Sequence, residues 1–129
     1  MMSRASLVQV PDVQWVDCAE QMAEMTEFRL RQLQNETAAQ AAQRIIQSII
    51  SGNTSNANEA LIYYKNNLAD LIKQMKGCRA TNFQERRDKG YSGTFVFYTL
   101  TYPDGKTVDR HIALRNDNDK HIWIADGGL

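Results

Sequence analysis

Two cysteines, two prolines and two histidines in 129 residues leave little from which to build the common chemical sites. Cys18 and Cys78 lie far apart and match no metal-ligand spacing. As free residues they read as small buried thiols; were the protein exported, a bridge could pin the first helix to the end of the second helical region. An excess of either charge is also missing. Fifteen basic residues balance fifteen acidic ones, so no net field draws the chain to nucleic acid or to an anionic membrane. No apolar run approaches the roughly 18 residues of a membrane span. Residues 1–8 carry one basic side chain and no long apolar stretch before Pro11, unlike a secretory signal. The expected compartment is therefore cytoplasmic, or periplasmic or otherwise exported if a leader has been removed. Gly-rich phosphate loops, a serine elbow and a Cys–His pairing are all absent. The sequence thus assigns no catalytic residue, no metal site and no cofactor.

What is present is a β-rich C-terminal third. Residues 94–102, Thr-Phe-Val-Phe-Tyr-Thr-Leu-Thr-Tyr, are almost all β-branched or aromatic. Pro103-Asp104-Gly105 supplies a turn, because proline presets its φ and glycine accepts positive φ. Residues 107–115 run back with alternating apolar positions, Asn116 to Asp119 turn the chain again, and His121 to Ala125 return. Residues 79–87 fit a polar edge strand, whose charges discourage pairing with another molecule. Gly90 begins the link to the main sheet, and Gly93 leaves room for a bulge.

The preceding residues read as helix. After a loose arm at 1–11, Asp12 is a good N-cap, with Trp15, Ala19, Met22 and Leu33 near one face. A break is expected at Asn35-Glu36-Thr37. From Thr37, Ala38, Ala41, Ala42, Ile45, Ile46, Ile49 and Ile50 recur at amphipathic-helix spacing, and Gly52 ends the run. A third helix is expected from Asn56 to Met75, with Glu59 completing a capping box and Gly77 closing it. The expected fold is α+β: about three N-terminal helices packed on one face of a three- to four-stranded antiparallel meander. It forms a single domain over 1–129, helical at 12–77 and sheet at 79–126.

With 103–105 as a three-residue loop, Leu100 faces Val108, Tyr98 faces Arg110, Val96 faces Ile112 and Thr94 faces Leu114. With Asp117-Asn118-Asp119 as the second loop, Leu114 faces Ile122 and Ile112 faces Ile124. One face then collects Val96, Tyr98, Leu100, Val108, Ile112, Leu114, Ile122 and Ile124, and the helical stripes are its cover. The other collects Phe95, Phe97, Thr99, Asp109, His111, Ala113, His121, Trp123 and Ala125. An aromatic patch of that kind marks a contact surface. Phe95, Phe97, His111 and Trp123 are accordingly the candidate protein-interface residues, most simply for a symmetric homodimer. Self-cover by the N-terminal arm or first helix, and a ligand surface, are the other readings.

Asp109, His111 and His121 could act as a base with an orienting carboxylate or as part of a metal site, but their spacing is not diagnostic; a structural His on Phe97 is the simpler reading. On the core face, Tyr98 and Arg110 are polar intruders. Arg110 facing Asp126 would be a matched ion pair; an opening there would instead make Tyr98, Arg110 and Asp126 a pocket for a small anion or polar ligand. The basic run at Arg86, Arg87 and Lys89 is interrupted by Glu85 and Asp88 and reads as a solvated edge, so no nucleic-acid partner is implied.

Helices leading into an antiparallel meander resemble the nuclear transport factor two-like, cystatin-like α+β superfamily, in particular its small bacterial members. The residues that carry the likeness are Ile45 to Asn53, Asn56 to Met75, Phe95 to Leu100, Asp104 to Lys106 and Ile122 to Ile124. The resemblance implies a sheet that often dimerises through its outer face, and a helix-covered pocket that in some members is catalytic. Because Asp109 and His111 point away from the helix-covered side in this register, no catalytic residue is carried over. The function expected is a non-enzymatic binding or assembly module, homodimeric or bound to a protein partner. The alternative is a small-molecule-binding or isomerase/dehydratase-like enzyme with its pocket between helices and sheet.

Overall fold

A computed structural model describes residues 26–129. The chain divides into two compact units, residues 1–32 and 33–129. The arm, the Asp12 cap, Trp15, Ala19, Met22 and Cys18 lie outside the described residues. In the first unit residues 26–32 are helical, with Glu27 and Arg31 one turn apart and paired at 3.8 Å. Residues 26–32 form α1; in the second unit, residues 33–35 are helical and Leu33 is buried.

The break expected near residue 36 is present: Glu36 and Thr37 are non-helical, and α2 spans Ala38–Ser51. Thr37 is its cap. The Thr37 hydroxyl accepts the Gln40 N–H at 3.1 Å, and the Gln40 side chain accepts the Thr37 N–H at 2.9 Å. That reciprocal pair satisfies two donors the helix leaves open. Gly52 ends the helix at φ 79°, with its N–H on the Ile49 carbonyl. The stripe of Ala38, Ala41, Ala42, Ile45, Ile46 and Ile49 is buried, as its spacing predicts.

The single helix expected over 56–75 does not form. Two 3-10 segments, Thr54–Asn56 and Asn58–Tyr64, precede a turn and a short α3 at Leu68–Met75. The asparagines explain part of this, since their side chains compete for local backbone groups. Asn53 accepts from both the backbone N–H and the hydroxyl of Ser55. Arg44 in turn draws on the Asn56 carbonyl. Tertiary packing explains the rest: Asn58–Tyr64 packs against the last strand while α3 packs on α2. Ala57, Ala60, Leu61, Leu71 and Met75 still reach the core, so the apolar stripe is used although the helix is interrupted.

Four antiparallel strands follow in meander order: β1 Arg79–Arg86, β2 Thr94–Thr101, β3 Thr107–Arg115 and β4 Ile124–Gly127. β1 is the edge strand the sequence suggests, and a bulge between Thr81 and Gln84 interrupts its pairing with β2. Asn82 takes φ 60° there, and Phe83 stacks on Tyr98 at 5.3 Å. The β2–β3 register is the predicted one: Thr94↔Leu114, Val96↔Ile112, Tyr98↔Arg110 and Leu100↔Val108. The β3–β4 register is not. Leu114 pairs with Ala125 instead of Ile122, and Arg115 rather than Ile112 pairs with Ile124. Ala125 therefore belongs to the core, where it is fully buried, and Ile124 is only half-buried.

The loop chemistry accounts for that shift. Asn118 donates to the Ile122 carbonyl at 2.7 Å and accepts the Ile122 N–H at 3.2 Å. His121 takes φ 56°. The turn thus runs through residue 123 before pairing starts. α2 packs on β1, β2 and β3, over a core of Val96, Tyr98, Leu100, Ile112 and Leu114. Val108 lies beyond this cover and is 38 % exposed.

Candidate functional site: the outer face of the sheet

Alternation along β2 and β3 sends Phe95, Phe97, Thr99, Asp109 and His111 to the face opposite the core. Phe95 and Phe97 are half-buried and His111 is exposed. The rings form a connected cluster. Phe97 and His111, directly paired across the strands, lie 5.4 Å apart, and Phe95 meets the same imidazole edge-on at 5.7 Å. Two further residues complete it. Tyr91 stacks on Phe95 at 4.8 Å, and the Arg86 guanidinium sits 4.9 Å above the Phe97 ring. Arg86 and Tyr91 were not singled out from the sequence as site residues. The available signal was the link between β1 and β2: positions 86 and 95 flank it as a hairpin pair, which places Arg86 beside Phe95.

A cleft of about 390 Å³ opens beside this cluster, over the β1 bulge. Asn82, Gln84, Glu85, Arg86, Phe97, Tyr98, Thr99 and Asp109 line it. It carries charge of both signs beside two aromatic residues, Phe97 and Tyr98.

Trp123 is not in the cluster. It precedes β4, packs against the core, and donates its indole N–H to the Glu36 carbonyl at 2.9 Å. His121 lies exposed in the β3–β4 connection rather than beside His111.

The pocket candidates are also separated. Tyr98 and Arg110 pair across β2 and β3. The Tyr98 ring is 2 % exposed, and its hydroxyl has no hydrogen-bond partner among the described residues. Burial raises the phenol above its ordinary pKa, and nearby Arg110 partly opposes this. Asp126 does not join them: its carboxylate accepts the Tyr91 hydroxyl at 2.7 Å at the other end of the face. The Arg110–Asp126 ion pair is absent among the described residues. Burial and the adjacent Asp126 carboxylate both raise the Tyr91 phenol. Cys78 is a free, buried thiol raised by desolvation, with Arg110 opposing.

Among the described residues no group of three or more His, Cys, Asp or Glu converges as a metal site, and no helix is long and apolar enough to cross a membrane. Comparison of the chain with protein-family models, curated proteins and solved structures finds no significant match.

Proposed function

We propose that the Leu33–Leu129 unit is a non-enzymatic binding or assembly module that makes its contact through the outer sheet face, most simply with a second copy of itself. One observation carries this reading: the Tyr91–Phe95–His111–Phe97–Arg86 cluster on the face opposite the core. Aromatic and arginine side chains already packed against one another have less freedom to lose on contact, and such residues dominate the energetics of protein interfaces. The resemblance to the cystatin-like superfamily, whose sheets often dimerise through this face, supports the same reading at the level of fold analogy. The enzyme alternative would need Tyr98, Arg110 and Asp126 around one opening, and they are not gathered.

Sedimentation equilibrium on the wild type and Phe97→Asp tests the proposal, with tryptophan fluorescence as the check on folding. The expected result is a self-associating wild type and a folded, monomeric variant. A wild type that stays monomeric at high concentration, or a variant that associates as well as the wild type, overturns it.

A further inference from the structure

The cleft over the β1 bulge owes its shape to an irregularity in the sheet. Thr81 pairs with Thr99 and Gln84 with Phe97, so Asn82 and Phe83 together stand opposite Tyr98. Asn82 takes φ 60° at this point, and bulges re-aim side chains beside binding sites. The Arg86 guanidinium lies over the Phe97 ring at 4.9 Å, which draws its charge in from the sheet edge to the wall of the cleft. A guanidinium held over a ring keeps in-plane N–H groups for a carboxylate. Asp109, on the outer face of β3, brings the opposite sign to the same cleft. The Thr99 hydroxyl donates to it only at 3.5 Å. Neither Arg86 nor Asp109 forms an ion pair with a described residue. The third charge, Glu85, is already engaged, because one of its oxygens accepts the Ala39 N–H at 3.0 Å at the start of α2. One cation and one anion are thus left to line the cleft.

We infer that this cleft binds a small amino-acid zwitterion, with its carboxylate on Arg86 and its ammonium group on Asp109. The inference goes beyond the contact reading above and does not depend on self-association. A simple anion on Arg86 would leave Asp109 as a like charge beside it, and a simple cation on Asp109 would meet Arg86. A molecule bearing both charges matches both walls. The Asn82 and Gln84 amides and the Thr99 hydroxyl line the space with further donors and acceptors, which suits a polar ligand. A volume of about 390 Å³ lies at the lower end of the range for ligand pockets, about 300–1,000 Å³, so the ligand is small. Both charged side chains are exposed, so binding is weak and the two charge contacts set its specificity more than its strength.

Proton–nitrogen correlation NMR of the full chain tests the site, with glycine, L-glutamine and γ-aminobutyrate as zwitterionic probes. Butyrate and butylamine probe each charge alone. The expected result is saturable shifts at Asn82, Gln84, Arg86 and Asp109 with at least one zwitterion, and binding of either single-charge probe at least about tenfold weaker. Arg86→Gln and Asp109→Asn should each weaken zwitterion binding at least about tenfold, with a dispersed spectrum showing that the variant is folded. The probe comparison uses the wild type alone, so it decides the matter even where a variant fails to fold. No saturable shift with any of the three zwitterions, a single-charge probe that binds as tightly, or shifts that fall away from the cleft overturns the site. Sedimentation equilibrium separates this outcome from the contact reading. A monomeric wild type that binds a zwitterion overturns that reading and leaves the site standing. A dimer that Phe97→Asp disrupts, with no zwitterion bound, does the reverse.

Discussion

The indole N–H of Trp123 donates to the backbone carbonyl of Glu36 at 2.9 Å, joining residues 87 apart in sequence. The Glu36 carboxylate meanwhile takes two bonds from Arg44, each 2.8 Å. Gln34 reaches the Lys120 carbonyl beside them. The break before α2 and the turn before β4 are thus tied to each other by two bonds from side-chain donors to backbone carbonyls. This contact removes Trp123 from the outer face and fixes how β4 enters the sheet.

Trp123→Phe keeps an aromatic ring but leaves the Glu36 carbonyl without this donor. The expected loss is about 1–3 kcal/mol of stability, read from the urea midpoint, with self-association unchanged. A variant of unaltered stability that no longer associates would return Trp123 to the interface.

Gly93 has no room for a side chain. A Cβ built there would lie 2.1 Å from the Leu114 carbonyl oxygen, a backbone atom in the neighbouring strand. Gly93→Ala should therefore push β2 and β3 apart at their first pair and cost about 2–3 kcal/mol. Thermal denaturation monitored by circular dichroism checks this. A change below about 0.5 kcal/mol would mean that the link before β2 yields.

Tyr98 buries a hydroxyl with no hydrogen-bond partner among the described residues, and that burial costs free energy. Tyr98→Phe keeps the ring that stacks on Phe83 and removes the unpaired group, so stability should stay level or rise by up to about 1 kcal/mol. A loss larger than that, measured by urea unfolding, would show that the hydroxyl holds a bonded molecule.

Tyr91 is expected to make stability fall at alkaline pH. Its folded-state pKa is raised by burial and by the bond to Asp126. The native chain therefore holds this proton where the unfolded chain, titrating near pH 10, releases it. Its contribution is complete below about pH 10 and declines as pH rises towards the folded value. Denaturation of wild type and Tyr91→Phe at pH 8 and pH 11 should show the wild-type advantage shrinking at the higher pH. An advantage that grows with pH would contradict the assignment.

Local sequence specified two pieces of this fold. In α2, the cap at Thr37, the alanine and isoleucine stripe and the stop at Gly52 each depend on residues no more than a few positions away. In the β2–β3 hairpin, the Pro103-Asp104-Gly105 turn and the strict alternation of β2 favour one register, because a slip of one residue would turn the β2 core side chains outward. That register also places Phe95, Phe97 and His111 on one face.

Tertiary structure decided the rest. Ile122, Trp123 and Ile124 are apolar without alternation, so their pattern suits more than one register, and the Asn118–Ile122 bonds and the Trp123–Glu36 contact made the choice. The apolar spacing across 56–75 described a burial stripe correctly, but where Asn58–Tyr64 packs on β4 its first part, Ala60 and Leu61, is carried by 3-10 turns, and only Leu71 and Met75 lie on the α-helix. Arg86 joined the aromatic face through pairing of the edge strand. A short-range pattern is legible when turn and strand constrain each other locally; contacts between residues as distant as 36 and 123 are set only when the whole core closes.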